Sequence, residues 1–92
     1  ISQLSYEVGR EVKSKYLSKN KKFESCFNFE NGRYYLDLYE AARVVLRDFG
    51  IASISGGNQC TYNEPDQYFS YRRDGKFSGR MAHLIWIDGA KI

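Results

Sequence analysis

The feature that most constrains the fold lies near the end of the chain, where residues 81–87 are apolar on both alternations of a strand. One alternation is Ala82, Leu84 and Trp86, and the other is Met81, Ile85 and Ile87. Successive strand side chains point to opposite faces of a sheet, so this pattern predicts a strand covered on both faces. A chain of 92 residues is short for two covering layers. We therefore expect the chain to complete a larger domain.

The first sixteen residues carry an apolar side chain at every fourth position. These side chains are Leu4, Val8, Val12 and Tyr16. This spacing lines one face of a helix, and Ser5 is placed to cap its start. Gly9 inside this helix is unfavourable relative to alanine, so its presence indicates close approach of another element.

The clearest helical pattern covers residues 38–49. Asp37 and Glu40 have the spacing of an acidic capping box, and Gly50 is suited to the C-terminal cap. The apolar stripe consists of Leu38, Ala41, Ala42, Val45, Leu46 and Phe49. A stripe of this width predicts that this face is buried, which leaves Arg43, Arg47 and Asp48 on the solvent side.

The remaining segments predict short strands and turns. Residues 23–29 are weakly strand-like, and Asn31-Gly32 is a turn signal because both residues tolerate positive φ. Residues 51–55 and 68–72 also read as strands. With two helices and three or four strands, the predicted fold class is α+β.

Composition excludes several classes of protein. The longest uncharged apolar run is four residues, Leu84 to Ile87, which is too short to span a bilayer. Residues 1–22 carry a surplus of four positive charges, which suits a solvated helix face or an anionic partner. Cys26 and Cys60 are too few for a disulfide framework and favour a reducing, cytoplasmic compartment. With His83 they match no local zinc pattern, so we expect no metal site within this chain.

The strongest local constellation holds three arginines, Arg72, Arg73 and Arg80, close to Gly75 and Gly79. A guanidinium presents a planar fork of donors that matches phosphate or carboxylate, and glycines let backbone N–H groups approach a ligand. We therefore take the three arginines as candidate substrate-binding residues. On a strand, neighbouring arginines point to opposite faces, so at most one of Arg72 and Arg73 would share a site with Arg80.

Two other interpretations of this region stay open. One arginine can pair with Asp74 while another packs its stem on Tyr71, which makes the cluster structural. Aromatic side chains beside the arginines can also offer stacking faces to nucleic acid; these are Tyr62, Tyr68, Phe69 and Tyr71. The chain has no ribonucleoprotein pattern, zinc finger or repeated basic stripe, so we do not expect a nucleic-acid partner.

Several motifs, in order and spacing, resemble the C-terminal part of the YfiH-like family of laccase-domain proteins. They are Ser5-Tyr6-Glu7-Val8-Gly9, Leu36-Asp37-Leu38-Tyr39-Glu40-Ala41-Ala42-Arg43 with Gly50-Ile51, Cys60-Thr61, Phe69-Ser70-Tyr71-Arg72-Arg73-Asp74-Gly75, Ser78-Gly79-Arg80-Met81-Ala82 and Leu84-Ile85-Trp86. The resemblance covers nearly the whole chain, so residues 1–92 are expected to form one C-terminal fragment without an internal boundary.

The resemblance implies a layered α/β/β/α domain with a mixed sheet, more than twice as long as this chain. Members hold a metal, zinc or in older descriptions copper, through two histidines and a cysteine that precede the first of these motifs. None of those positions lies in this sequence, so no metal ligand is assigned. Cys60 matches the cysteine of the closing region, and His83 stands where members usually have a small residue.

The resemblance also implies an activity. Members are described as zinc-dependent purine nucleoside phosphorylases and adenosine deaminases, acting on adenosine, inosine and methylthioadenosine with phosphate as the second substrate. We expect this chain to be inactive without its partner, the N-terminal part of the same domain. The alternatives are a polyphenol oxidase, an amidase that edits peptidoglycan precursors, and a small basic binding module without enzymatic activity. No membrane association is expected.

Overall fold

The computed structural model describes residues 1–85 of the chain, which combine helices with a small antiparallel sheet. The strands are β1 Glu7–Val8, β2 Phe27–Glu30 and β3 Arg33–Leu36, and the α-helices are α1 Arg10–Lys19, α2 Leu38–Asp48 and α3 Tyr71–Asp74. Short 3-10 helices cover Gln3–Ser5, Lys21–Cys26 and Gly75–Phe77. The predicted α+β fold class is confirmed. No helix among these residues combines the length and the apolar character needed to cross a membrane.

The sheet is built around a hairpin. Its strand order is β1-β3-β2, and both neighbouring pairs are antiparallel. β2 and β3 pair from Glu30 opposite Arg33 outward, and Asn31 and Gly32 between them have φ of 53° and 77°. Two consecutive residues at positive φ match the twist of a tight hairpin, as predicted for Asn31-Gly32. The weakly strand-like segment 23–29 becomes a strand only from Phe27 onward.

The predicted caps of α2 are confirmed in part. The Asp37 carboxylate accepts a hydrogen bond of 3.0 Å from the Glu40 N–H, and Gly50, at φ 83°, donates to the Arg47 carbonyl at 2.9 Å. The reciprocal half of the capping box is not formed. The Asp37 N–H donates to the Cys26 carbonyl at 2.7 Å, and the Glu40 carboxylate accepts from Arg47. The helix is thus tied to the core at its N-cap residue.

A small core lies between α1, the Lys21–Cys26 turn, β3 and one edge of α2. Its buried side chains are Phe23, Cys26, Leu36, Ala41 and Val44. The Tyr16 ring contacts Phe23 and Phe27 edge-on, with ring centroids 5.1 and 5.6 Å apart. Aromatic pairs favour this edge-to-face arrangement. The α1 positions Val12 and Tyr16 therefore face the core, as the periodicity predicts.

The prediction that the whole apolar stripe of α2 is buried is wrong. Val44, outside that stripe, is buried, whereas Leu38, Val45 and Phe49 are 38%, 42% and 82% exposed. The tie between Asp37 and Cys26 sets the rotation of the helix, so only its edge at Ala41 and Val44 meets the core.

The prediction for the polar side of α2 needs a correction at Arg43. Its side chain is half-buried, pairs with Glu40 at 3.2 Å and donates to the Gly56 carbonyl at 3.0 Å. Arg47 and Asp48 are exposed, as predicted. The difference at Arg43 arises because the chain after α2 folds back along the helix and presents a carbonyl to it.

The first helix also begins later than predicted. Ser5 lies in a 3-10 turn, Leu4 is exposed, and α1 starts at Arg10 with Gly9 as its N-cap. The intervening residues Glu7–Val8 pair with β3 instead. Pairing with β3 satisfies backbone groups that a helix would otherwise use, so the helix starts only after the strand ends.

Three predicted strands are absent from the described residues. Residues 51–55 are irregular, and 68–72 give way to α3, whose N-cap Ser70 accepts from the Arg73 N–H at 3.2 Å. This local bond offers the backbone an alternative to a strand. Residues 81–85 form no strand and are not part of the described sheet; positions 86 and 87 lie outside the described residues.

Candidate functional site

The structure places the three candidate arginines in three different environments. Arg72 on α3 donates to the Glu7 carbonyl at 2.9 Å, and its guanidinium lies 4.8 Å from the centre of the Tyr6 ring. A cation over an aromatic face is attracted by the electrons of the ring. Arg72 therefore joins α3 to the β1 end of the sheet through its Nη1 and the face of its guanidinium.

Arg73 is held by the loop that precedes α3. Its Nη1 donates to the carbonyls of Thr61 and Tyr62 at 2.7 and 3.1 Å, and its Nη2 donates to the Tyr68 carbonyl at 3.0 Å. It also pairs with the Asp74 carboxylate at 2.8 Å, and that hydrogen bond raises the pKa of Arg73. Its side chain is only 19% exposed. The interpretation in which one arginine pairs with Asp74 thus describes Arg73.

Arg80 is exposed, and no carboxylate among residues 1–85 pairs with it. Its Nη1 donates to the Ser78 carbonyl at 3.1 Å. It lines an open cavity of about 420 Å³, which we call the arginine cavity; the other lining residues are Phe69, Tyr71, Ser78, Gly79, Met81 and His83. Of the three arginines, only Arg80 lines this cavity or the one beside it.

A second cavity, of about 340 Å³, adjoins the first because Met81 and His83 line both. We call it the tyrosine cavity, since Tyr39 and Tyr68 are among its walls. Its further lining residues are Ile1, Leu38, Gly57, Gln59 and Thr61. Largely apolar concave sites with a few polar groups are typical of small-molecule binding.

The tyrosine cavity depends on a close approach between α2 and the loop at Gly56-Gly57. Both glycines have positive φ, of 96° and 92°, and a Cβ at Gly57 would lie 3.2 Å from the Tyr39 Cβ. The Tyr39 hydroxyl donates to the Gln59 carbonyl, and burial raises the pKa of Tyr39. Sequence reasoning did not select Tyr39 or Gln59; the glycine pair was the only sequence signal of this approach.

The thiol of Cys60 lies buried beside the loop that carries Arg73's acceptors. The Ser2 N–H donates to its sulfur at 3.2 Å. Burial acts to raise the pKa of Cys60, but hydrogen bonds from Ser2, Asn63 and Tyr62 outweigh it and lower the pKa to about 6. Cys26, by contrast, has a raised pKa because of burial and the nearby Glu40 carboxylate.

Residues 1–85 do not fit a metal site. No three side chains of histidine, cysteine, aspartate or glutamate converge in this part of the chain. A tetrahedral zinc site needs three or four such ligands at bonding distance. Both cysteines are free and buried in different surroundings, and His83 lies at the junction of the two cavities.

Two bases of the N-terminal segment form ion pairs within residues 1–85. Lys13 lies 3.5 Å from Glu24, and Lys22 lies 2.8 Å from Asp48. The remaining bases of α1 and its exit are exposed. Exposed surface charges of this kind are common on solvated helices and carry little structural information about a ligand.

Comparison with protein families supplies the wider context. The family model described as multi-copper polyphenol oxidoreductase laccase matches residues 1–88. Purine nucleoside phosphorylase YfiH of Escherichia coli (strain K12) is 40% identical over 87 residues, which cover 95% of this chain and 35% of that protein. A purine nucleoside phosphorylase of Haemophilus influenzae is 40% identical over 91 residues, covering 96% of this chain and 37% of its own length.

A solved structure is similar in fold. The crystal structure of Neisseria meningitidis protein NMB0706, described as a DUF152 protein, matches with a TM-score of 0.74 and 37% sequence identity. The match covers 82% of this chain and 31% of that one. The chain therefore spans about a third of the length of the relatives it matches.

Proposed function

Because the chain belongs to the multi-copper polyphenol oxidoreductase laccase family, we propose that it forms the C-terminal part of a purine nucleoside phosphorylase domain. The names of its relatives support phosphorolysis as the reaction. The proposed domain covers residues 1–92 without an internal boundary, and its partner is the remaining, N-terminal part of the same domain. The coverage of about a third of the relatives supports that partner.

The main structural support for the proposal is the pair of adjoining cavities. A purine base fits the chemistry of the tyrosine cavity, because aromatic faces stack on nucleobases. Phosphate fits the arginine cavity, where the guanidinium of Arg80 has no carboxylate partner among the described residues. Met81 and His83 lie between the two, where the ribose would join base and anion.

In phosphorolysis, an oxygen of phosphate bonds to the ribose C1′ while the bond from C1′ to the purine nitrogen breaks. The purine leaves with the bonding electron pair and takes up a proton. The ribose becomes positively charged in the transition state, so a phosphate held beside it is both nucleophile and stabilising anion. We propose that Arg80 holds the phosphate. Arg72 and Arg73, the other two candidate arginines, shape the cleft by holding α3 and its preceding loop.

The metal of the family is proposed to lie outside this chain. The described residues provide no group of three ligands, so none of them is assigned to zinc or copper. A bound zinc ion would supply an activated water for the deamination of adenosine that the family resemblance implies. The two free cysteines support a reducing compartment, and on that basis we propose a cytoplasmic location.

The test uses the full-length protein that contains this chain. We expect phosphate-dependent release of base from adenosine, inosine or methylthioadenosine. Arg80→Ala is expected to raise the KM for phosphate about tenfold or more, because one charge-assisted contact is lost. Arg10→Ala, at an exposed arginine on α1, is the matched control. A preparation with metal bound that releases no base would contradict the assignment, and an unchanged phosphate KM would remove Arg80 from the site.

The alternative proposal is a phenol oxidase, which the family description favours. An oxidase would consume dioxygen with a phenol substrate and would contain copper. Copper content and oxygen uptake of the same full-length preparation therefore separate the two proposals.

A further inference from the structure

One face of α2 is apolar and uncovered in the described part of the chain. Leu38, Ala42, Val45 and Phe49 follow one another at spacings of four, three and four residues, which places them in one row along the helix. The Phe49 side chain is 82% exposed, and Leu38 and Val45 are each about two-fifths exposed. A helix with one apolar face is normally stabilised by packing that face against another element.

The charged residues of α2 do not face a missing partner. Glu40 pairs with Arg43 and Arg47 at 3.2 and 3.0 Å, and Asp48 pairs with Lys22 at 2.8 Å. All four charges of the helix are thus matched within the chain. The uncovered apolar row beside them is therefore the part of α2 that a packing partner would stabilise.

A groove lies beside this row and shares Leu38, Ala42 and Val45 with it. Between α1 and α2 lies an apolar cavity of about 230 Å³, lined by Tyr16, Phe23, Leu38, Ala41, Ala42 and Val45. Two of these residues, Phe23 and Ala41, also belong to the core. A side chain inserted here would therefore extend the existing core outward through the groove.

We propose that this face, the row on α2 with its groove, docks the apolar side chains of the remaining two-thirds of the family domain. The chain matches only 35% and 37% of the Escherichia coli and Haemophilus influenzae relatives, so the larger part of such a domain lies outside the matched region. The core cluster has five buried members, of which only Cys26 and Leu36 are fully buried, and this is few for a unit of 85 residues. This inference rests on the proposed domain organisation and not on nucleoside chemistry, so binding tests it rather than turnover.

The experiment pairs the whole 92-residue chain with the part of the Escherichia coli relative that lies outside the matched segment. The relative's own matched segment, combined with the same piece, is the positive control. The two polypeptides are co-expressed and purified, and the affinity between them is measured by sedimentation or calorimetry. We expect the chain to bind, and we expect Phe49→Asp to weaken binding at least tenfold, because a carboxylate would be buried in an apolar contact.

Two controls isolate the contact. Phe49→Leu keeps an apolar side chain and should bind within about twofold of the native chain, since only part of the apolar area is lost. Ser14→Asp introduces the same charge at an exposed position of α1 and should not change the affinity. Circular dichroism of each variant alone checks that the chain is folded as before.

Three results would overturn the proposal. In the first, the control pair assembles but the present chain does not bind. In the second, the Phe49→Asp variant binds as tightly as the native chain. In the third, the chain forms a dimer that Phe49→Asp breaks and the added piece does not displace, which identifies a second copy as the occupant. Absence of phosphorylase activity leaves the docking proposal unaffected, so the two proposals fail separately.

Discussion

The Nη2 of Arg73 lies 3.0 Å from the carbonyl oxygen of Tyr68, and this bond joins α3 to the loop that forms one wall of the tyrosine cavity. Further bonds from Nη1 to Thr61 and Tyr62 hold the same loop. Arg73, which the sequence predicted to contact substrate, therefore holds a wall of the site in place. The placement of the cavity wall depends on a guanidinium that satisfies several backbone carbonyls at once.

Replacing Arg73 is therefore expected to loosen the loop. Arg73→Ala removes the donors of the Thr61, Tyr62 and Tyr68 carbonyls, so the denaturation midpoint should fall, and the loop amides should exchange faster with solvent. Arg73→Lys should recover little, because an ammonium cannot reproduce the planar fork. Hydrogen exchange and urea denaturation measure both effects, with Arg10→Ala as control. Unchanged exchange in residues 61–68 would show that Arg73 does not hold the loop.

Tyr68 is expected to contribute to binding of the nucleoside and not to binding of phosphate. In the full-length protein, Tyr68→Ala should raise the KM for the nucleoside about tenfold, because stacking on one aromatic ring is lost. The KM for phosphate should stay the same, since Tyr68 lines only the tyrosine cavity. Steady-state kinetics with each substrate varied in turn makes the distinction. Equal changes in both constants would argue against separate subsites for base and anion.

Cys60 should make the stability of the chain depend on pH. Its pKa is about 6 in the folded state and near the ordinary value of 9.0 when unfolded, so the unfolded thiol binds more protons between these values. The thiolate therefore stabilises the fold fully above about pH 9, and this contribution is lost as the pH falls toward 6. Urea denaturation across this range should show the native chain gaining stability relative to Cys60→Ser as the pH rises. A constant difference would contradict the low pKa.

Asp37 is expected to stabilise the start of α2. Asp37→Ala removes the acceptor of the Glu40 N–H and should lower the free energy of unfolding by about 1 kcal/mol. Asp37→Asn keeps a side-chain oxygen in the same place and should retain most of the stability. Denaturation of both variants checks the difference. Equal losses in the two would indicate that charge, and not the capping hydrogen bond, is the source of stability.

Local signals predicted local structure well. The bounds of α2 followed from Asp37 and Gly50, because helix caps involve residues three or four apart. The hairpin turn followed from Asn31-Gly32 for the same reason. The predictions of strands at residues 51–55 and 81–85 were wrong, because a strand also needs a partner strand, which can lie far along the chain.

The candidate site shows the same division. The arginine-rich segment and its family resemblance were visible in the sequence, as was the apolar periodicity of α2. Which arginine is available to a ligand was not visible in the sequence, because it depends on folded contacts: Arg72 bonds to Glu7, 65 residues away, and Arg73 bonds to several carbonyls of the preceding loop.

Short motifs and their order were enough to predict the α+β class, the caps of α2 and the family. The contacts of the folded chain were needed to show that Arg73 holds the loop, that Arg80 lines a cavity and that the apolar row of α2 is uncovered within residues 1–85. The physical reason is that periodicity specifies which side chains share a face. What that face contacts depends on how hydrogen bonds such as that from the Asp37 N–H to Cys26 rotate the helix against its neighbours.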